Sequence, residues 1–109
     1  MEILESLKHK LPEQYLSEIE SAPWEKEFIE EEKHWYSPFI LWSEENVRQY
    51  QPNVGFSDYF AIGSNGGMET YLIHFPDQAI WVADLIAGEN SLEKVAPSFS
   101  ALISMLEGI

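Results

Sequence analysis

Chemistry in this 109-residue chain would have to begin with histidine, serine or carboxylate groups, because there is no cysteine to supply a thiolate nucleophile, a zinc ligand or a disulfide. The histidines, His9, His34 and His74, are scattered, with no HExxH or His-x-His spacing to join them, so no metal site is expected. His74 falls in an alternating run. There a histidine on a half-buried strand with a hydrogen-bond partner is the plain reading, and a general base the sharper one. Ser64 lies between Gly63 and Asn65-Gly66 in the manner of a nucleophile elbow, but an elbow turns from strand to helix and the next segment here is again strand-like. The same glycines lack the lysine and following helix of a phosphate cradle. Asp58, Asp77 and Asp84 are separate acids with no second carboxylate at a fixed interval, which argues against a glycosidase-like pair. The expectation is a non-enzymatic protein with no catalytic residue, no cofactor and no metal.

The elements that carry these residues can be read from periodicity and turn chemistry. Ser64-Asn65-Gly66-Gly67 separates the apolar stretch 59–62 from the alternating run 68–75. Asn and Gly tolerate the positive φ of a tight turn, so a hairpin joined at Asn65-Gly66 is predicted, with Gly63, Asn65, Gly66 and Gly67 serving turn geometry. In the run after it, Met68, Thr70, Leu72 and His74 alternate with Glu69, Tyr71, Ile73 and Phe75. Pro76-Asp77 marks a turn. A strand follows over 79–85, with Ile80 and Val82 on one side and Trp81 and Ala83 on the other. Gly88 to Ser91 closes it, with Ser91 capping a short turn over 92–96. Ser98 caps a last helix in which Phe99, Leu102, Ile103 and Leu106 share a face, and Gly108 suits its end.

Upstream, Leu4, Leu7 and Leu11 have helical spacing. Pro12 then opens a helix that presents Tyr15, Leu16 and Ile19 together and stops at Ala22-Pro23. Residues 24–33 fit a short strand or an irregular helix equally well. Phe39 to Trp42 reads as a short buried strand. Ser43 caps a helix with Glu44 and Glu45 in its first turn and Val47 and Tyr50 facing inward, ended by Pro52 and Gly55. The expected fold is α+β: a single domain over 1–109 with a mainly antiparallel sheet packed by N-terminal, central and C-terminal helices.

Nineteen acidic residues against six basic ones leave a net charge of −13, spread along the chain. Such a field repels phosphate backbones and anionic membrane surfaces and attracts basic partners, so a protein partner is expected and direct nucleic-acid or membrane binding is not. Solubility alone is the plainer meaning of the same charge. No apolar run approaches the roughly twenty residues needed to span a bilayer. Met1-Glu2-Ile3-Leu4-Glu5 has no basic start leading into an apolar stretch, and a cytoplasmic location is the expectation. The most partner-like patch is Trp24, Glu25, Glu27, Glu30, Glu31, Glu32, Trp35 and Tyr36, where aromatics offer contact area and carboxylates can pair with Arg or Lys. The alternative is a solvated charged face whose aromatics turn into the core.

The order of these motifs resembles the SUKH superfamily, whose members include fungal cell-wall-assembly regulators and many bacterial toxin-immunity proteins. Leu11-Pro12-Glu13-Gln14-Tyr15-Leu16 looks like its opening helix, and Phe60-Ala61-Ile62-Gly63-Ser64-Asn65-Gly66-Gly67 is similar to its central strand and glycine turn. Ile80-Trp81-Val82-Ala83-Asp84 resembles the next strand, and Val95-Ala96-Pro97-Ser98-Phe99 with Leu102 the start of its last helix. Where the family often has an Asn-Gly-Gly type turn after the first helix, this chain has Ser21-Ala22-Pro23-Trp24 and a Glu-rich segment. The resemblance implies one α+β domain with a binding role and no catalysis. The leading expectation is a cytoplasmic immunity protein that binds a basic, nuclease-type toxin. An adaptor module of the same fold comes second, and a small hydrolase using His74 third.

Overall fold

An apolar stretch over 59–62 and alternating runs over 68–75 and 79–85 underlie the three longest strands of the sheet, and shorter strands extend it on both sides. In the computed structural model, which describes residues 7–30, 37–51, 54 and 57–107, six strands lie side by side in chain order and every neighbouring pair is antiparallel. They are β1 (Trp24–Lys26), β2 (Phe39–Leu41), β3 (Tyr59–Ser64), β4 (Glu69–His74), β5 (Ile80–Asp84) and β6 (Glu93–Ala96). Three α-helices occur among the described residues: α1 (Glu13–Glu18), α2 (Glu44–Tyr50) and α3 (Phe99–Ser104). The fold is α+β. Leu4, Pro52, Gly55 and Gly108, each given a role above, lie outside the described residues.

Capping sets two of the helix starts as expected. The Ser43 hydroxyl accepts the Asn46 N–H at 3.4 Å, and the Ser98 hydroxyl accepts the Ala101 N–H at 3.0 Å. Pro12 is the N-cap of α1, which tightens into a 3-10 turn over Ile19–Ser21 before Pro23.

Residues that face each other across an antiparallel ladder point to the same side of the sheet, so the register sorts side chains into two faces. One face carries Phe39, Leu41, Phe60, Tyr71, Ile73, Ile80 and Val82, all buried. Onto it pack α1 and α3. The Tyr15 ring meets Phe60 edge-on at 6.2 Å and Phe99 at 5.6 Å, while Tyr71 is flanked by Phe39 at 4.8 Å and Phe28 at 6.5 Å. Burying each such ring contributes about 2–3 kcal/mol, the main term holding helices to sheet.

Several expectations need correction. Residues 92–96 do not form a turn capped by Ser91. They hold β6, with Glu93 opposite Val82, Lys94 opposite Trp81 and Ala96 opposite Ile80. A bulge breaks the alternation there, which hides the strand from a periodicity argument. Ser91 instead ties the ends of the preceding loop, accepting the Asp84 N–H at 2.9 Å. Tyr50 does not face inward; it is 38% exposed, whereas Val47 is buried.

The hairpin differs too. Asn65 and Glu69 face each other, with the Asn65 N–H on the Glu69 carbonyl at 3.2 Å, so the connection is Gly66 to Met68. Only Gly66 of these residues has positive φ, at 82°. Asn65 works through its side chain, whose Oδ1 accepts the N–H groups of Gly67 at 2.9 Å and Glu69 at 3.2 Å. Gly63 is not a turn residue. It lies within β3 opposite Leu41, where a Cβ would stand 2.1 Å from the Ile40 carbonyl oxygen, so close approach of β2 demands glycine.

Candidate protein-interaction site

The pleat of β1 divides the patch singled out in the sequence. Trp24 shares a face with Leu41, Gly63 and Tyr71, and its ring meets Phe39 at 5.7 Å with the Lys26 ammonium over it at 5.7 Å. Glu25, one residue on, points to the opposite side. Glu27 and Glu30 are exposed, and residues 27–29 run against the C-terminal segment through Glu107 N–H to Glu27 carbonyl at 2.9 Å and Ile29 N–H to Met105 carbonyl at 2.8 Å. Glu31, Glu32, Trp35 and Tyr36 lie outside the described residues. Of the proposed contacts described, Trp24 thus packs as a structural aromatic while Glu25, Glu27 and Glu30 remain open to solvent.

The face that Glu25 shares carries a row running across the sheet through Ile40, Ser64, Thr70 and Ala83. Ser64 and Thr70 form part of an open pocket of about 280 Å³, completed by Trp42, Tyr50, Gly66, Gly67 and Leu85. Each element brings its residue there for a local reason. Trp42 follows β2, its N–H held by the Ile62 carbonyl at 3.0 Å, and it anchors Tyr50 on the last turn of α2, the rings 5.0 Å apart. Just beyond that helix, the Gln51 amide takes the place of a strand beside β3. It accepts the Ala61 N–H at 2.7 Å and donates to the Ala61 carbonyl at 3.0 Å, which fixes α2 against the sheet. Ser64 accepts the Gly66 N–H at 3.3 Å and so shapes the hairpin wall.

Apolar side chains stand around this end of the sheet. Met68 on the hairpin is 60% exposed, and Ile86, next to Leu85, is 87% exposed. The Glu69–Asp84 register brings their two loops together. The Ile86 loop is held rigidly: Asp84 Oδ1 accepts the N–H of Ile86 at 2.9 Å and of Ala87 at 3.3 Å, and the Gly88 N–H bonds the Asp84 carbonyl at 2.9 Å. The field here is negative. Partial burial raises the Glu69 carboxyl above its ordinary pKa, and the nearby charges of Asp84 and Glu93 raise it further. Sequence reasoning passed over Trp42, Tyr50, Thr70, Met68 and Ile86, although Met68 and Ile86, large apolar residues in turn segments, were a visible signal.

His74 lies at the other end of β4. Its Nδ1 is 2.9 Å from Asp77 Oδ1, and its ring lies 4.7 Å from Tyr59 and 6.4 Å from Trp81. The Asp77 carboxylate also accepts the Ala79 N–H at 3.0 Å, and this backbone bond, then the histidine, holds its pKa below the ordinary value. The pair closes the β4–β5 turn, and His74 does not line the pocket. Among the described residues no group of three or more histidines and carboxylates is placed to hold a metal ion, and no helix is long and apolar enough to cross a membrane. No protein-family model matches the chain, and no curated protein matches it in sequence.

Proposed function

We propose that this chain is a non-catalytic protein-binding domain, a cytoplasmic immunity protein of SUKH type that neutralises a basic, nuclease-type toxin by binding it directly. The observation that carries this reading is the net charge of −13 on a chain whose motif order resembles that family. Carboxylates spread over the surface steer a cationic partner and discourage competing anions, and a nuclease covered by them loses the basic surface that holds its substrate. The carboxylates of Glu25 and Glu27 are exposed to such a partner. The His74–Asp77 pair has the geometry of a histidine oriented by a carboxylate, but both groups serve a turn, which favours binding over turnover.

Titration calorimetry against any basic toxin domain found encoded beside this chain's gene tests the proposal. Stoichiometric binding is expected, with an association rate that falls as salt is raised. Absence of binding at micromolar concentration in low salt overturns it.

A further inference from the structure

We infer that the Trp42–Tyr50 pocket is the anchoring site for an arginine side chain projecting from a basic protein partner, with Met68 and Ile86 receiving apolar residues beside it. This rests on the protein-binding reading above and adds where and how the partner is held.

Three independent features converge on one end of the sheet. The first is apolar exposure: Tyr50, Met68 and Ile86 are three large hydrophobic side chains held open to solvent, two of them on hydrogen-bonded turns that keep them there. An aromatic and aliphatic patch of this kind is what the centre of a protein interface looks like before the partner arrives. The second is the lining. The exposed Tyr50 ring, backed by the largely buried Trp42, forms a wall on which a planar guanidinium can stack, and the hydroxyl oxygens of Ser64 and Thr70 can accept its N–H groups. Gly66 and Gly67 leave the hairpin backbone uncovered by side chains, so the slot is open from that side. The third is charge. Glu25 lies on the same face in the same cross-strand row, two strands or roughly 10 Å from Ser64, so a second cation of the partner would find a carboxylate there. Glu69, Asp84 and Glu93 lie at the same end of the sheet but on its other face, and add to the negative potential there without lining the pocket.

The test is an NMR titration of the labelled full chain with hexa-arginine, using hexa-lysine as a probe of equal charge. Hexa-arginine is expected to move the Trp42 indole and the amides of Ser64, Gly66, Gly67 and Thr70, and to bind about threefold or more tightly than hexa-lysine because only guanidinium stacks well. Tyr50→Ala should erase that preference and Tyr50→Phe should keep it, each variant's spectrum reporting whether the fold is intact. Equal binding of the two peptides, or shifts confined to Glu25, Glu27 and Glu30, overturns the anchoring pocket while leaving a basic partner in place. No shift at all also overturns it, and the toxin titration then decides separately whether the binding reading stands. Sedimentation showing a dimer that dissolves in Met68→Asp or Ile86→Asp would assign the patch to a second copy of the chain and overturn the inference.

Discussion

Two adjacent rows cross the same strands, one residue apart, and meet opposite fates. The row Trp24, Leu41, Gly63, Tyr71, Val82 lies under α1 and α3 and is packed with aromatic rings. The row Glu25, Ile40, Ser64, Thr70, Ala83 starts with an open carboxylate and passes through the floor of a pocket. Both draw on residues that are neighbours in sequence. The pleat alone turns one set toward α1 and α3 and the other to the opposite side of the sheet, where Glu25 is exposed while Thr70 and Ala83 are buried, so aromatic and acidic residues clustered in sequence need not act together in space.

The largest expected effect comes from breaking the buried row at its narrowest point. Gly63→Ala places a methyl against the Ile40 carbonyl, where backbone meets backbone and neither can rotate away. A loss of about 3 kcal/mol or more is expected in chemical denaturation, with hydrogen exchange accelerated first in β1 and β2. Unchanged stability would mean that β2 is not seated so closely on β3.

Next, aromatic truncation should separate the rows. Trp24→Ala should cost about 2 kcal/mol, since it removes the ring packed on Phe39. Tyr50→Ala, on the exposed side of its contact with Trp42, should cost about 1 kcal/mol or less. A reversal of that order, measured by thermal or urea unfolding, would collapse the distinction between a structural and a presented aromatic.

A smaller effect concerns a polar atom within the core. Tyr15 is fully buried and its hydroxyl has no hydrogen-bond partner among the described residues. Burial, with a lesser push from Glu44, raises its pKa far above the ordinary 10.0. The folded state therefore holds the proton more tightly than the unfolded chain does. The stability contribution is intact below about pH 10 and is lost as pH rises toward the folded value. Tyr15→Phe should leave stability at neutral pH equal or slightly higher and reduce the alkaline loss. If the variant is clearly less stable at pH 7, the hydroxyl has a partner after all.

The smallest effect lies at the hairpin end of the sheet, on the face opposite the pocket. Glu69→Gln removes a charge set directly across from Asp84. Because the folded pKa of Glu69 is raised, its ionisation opposes folding once pH exceeds the unfolded value. The variant should melt slightly higher at pH 7, and the difference should vanish at a pH low enough to protonate the wild-type side chain.

Much of the fold was legible along the chain. Strand β3 followed from an apolar stretch before a turn, β4 and β5 from alternation, and helix starts from Ser43 and Ser98, because each is governed by contacts within a few residues. The site was not. Trp42, Tyr50, Ser64, Thr70 and Leu85 come from five separate places in the fold, and the two apolar turn residues that hinted at it were less conspicuous than a run of glutamates.

Local chemistry by itself determined that this chain makes an acidic, cysteine-free α+β protein: net charge is a sum over residues, and short-range periodicity chooses helix or strand. Tertiary structure alone decided that Trp24 packs while Glu25 is open, that Gly63 serves close approach and not a turn, and that Tyr50 stays exposed beside Trp42. The physical reason is register. Which face a side chain occupies depends on how distant strands align; a one-residue offset in that alignment leaves no mark on local pattern, and a bulge breaks the pattern that would reveal the strand.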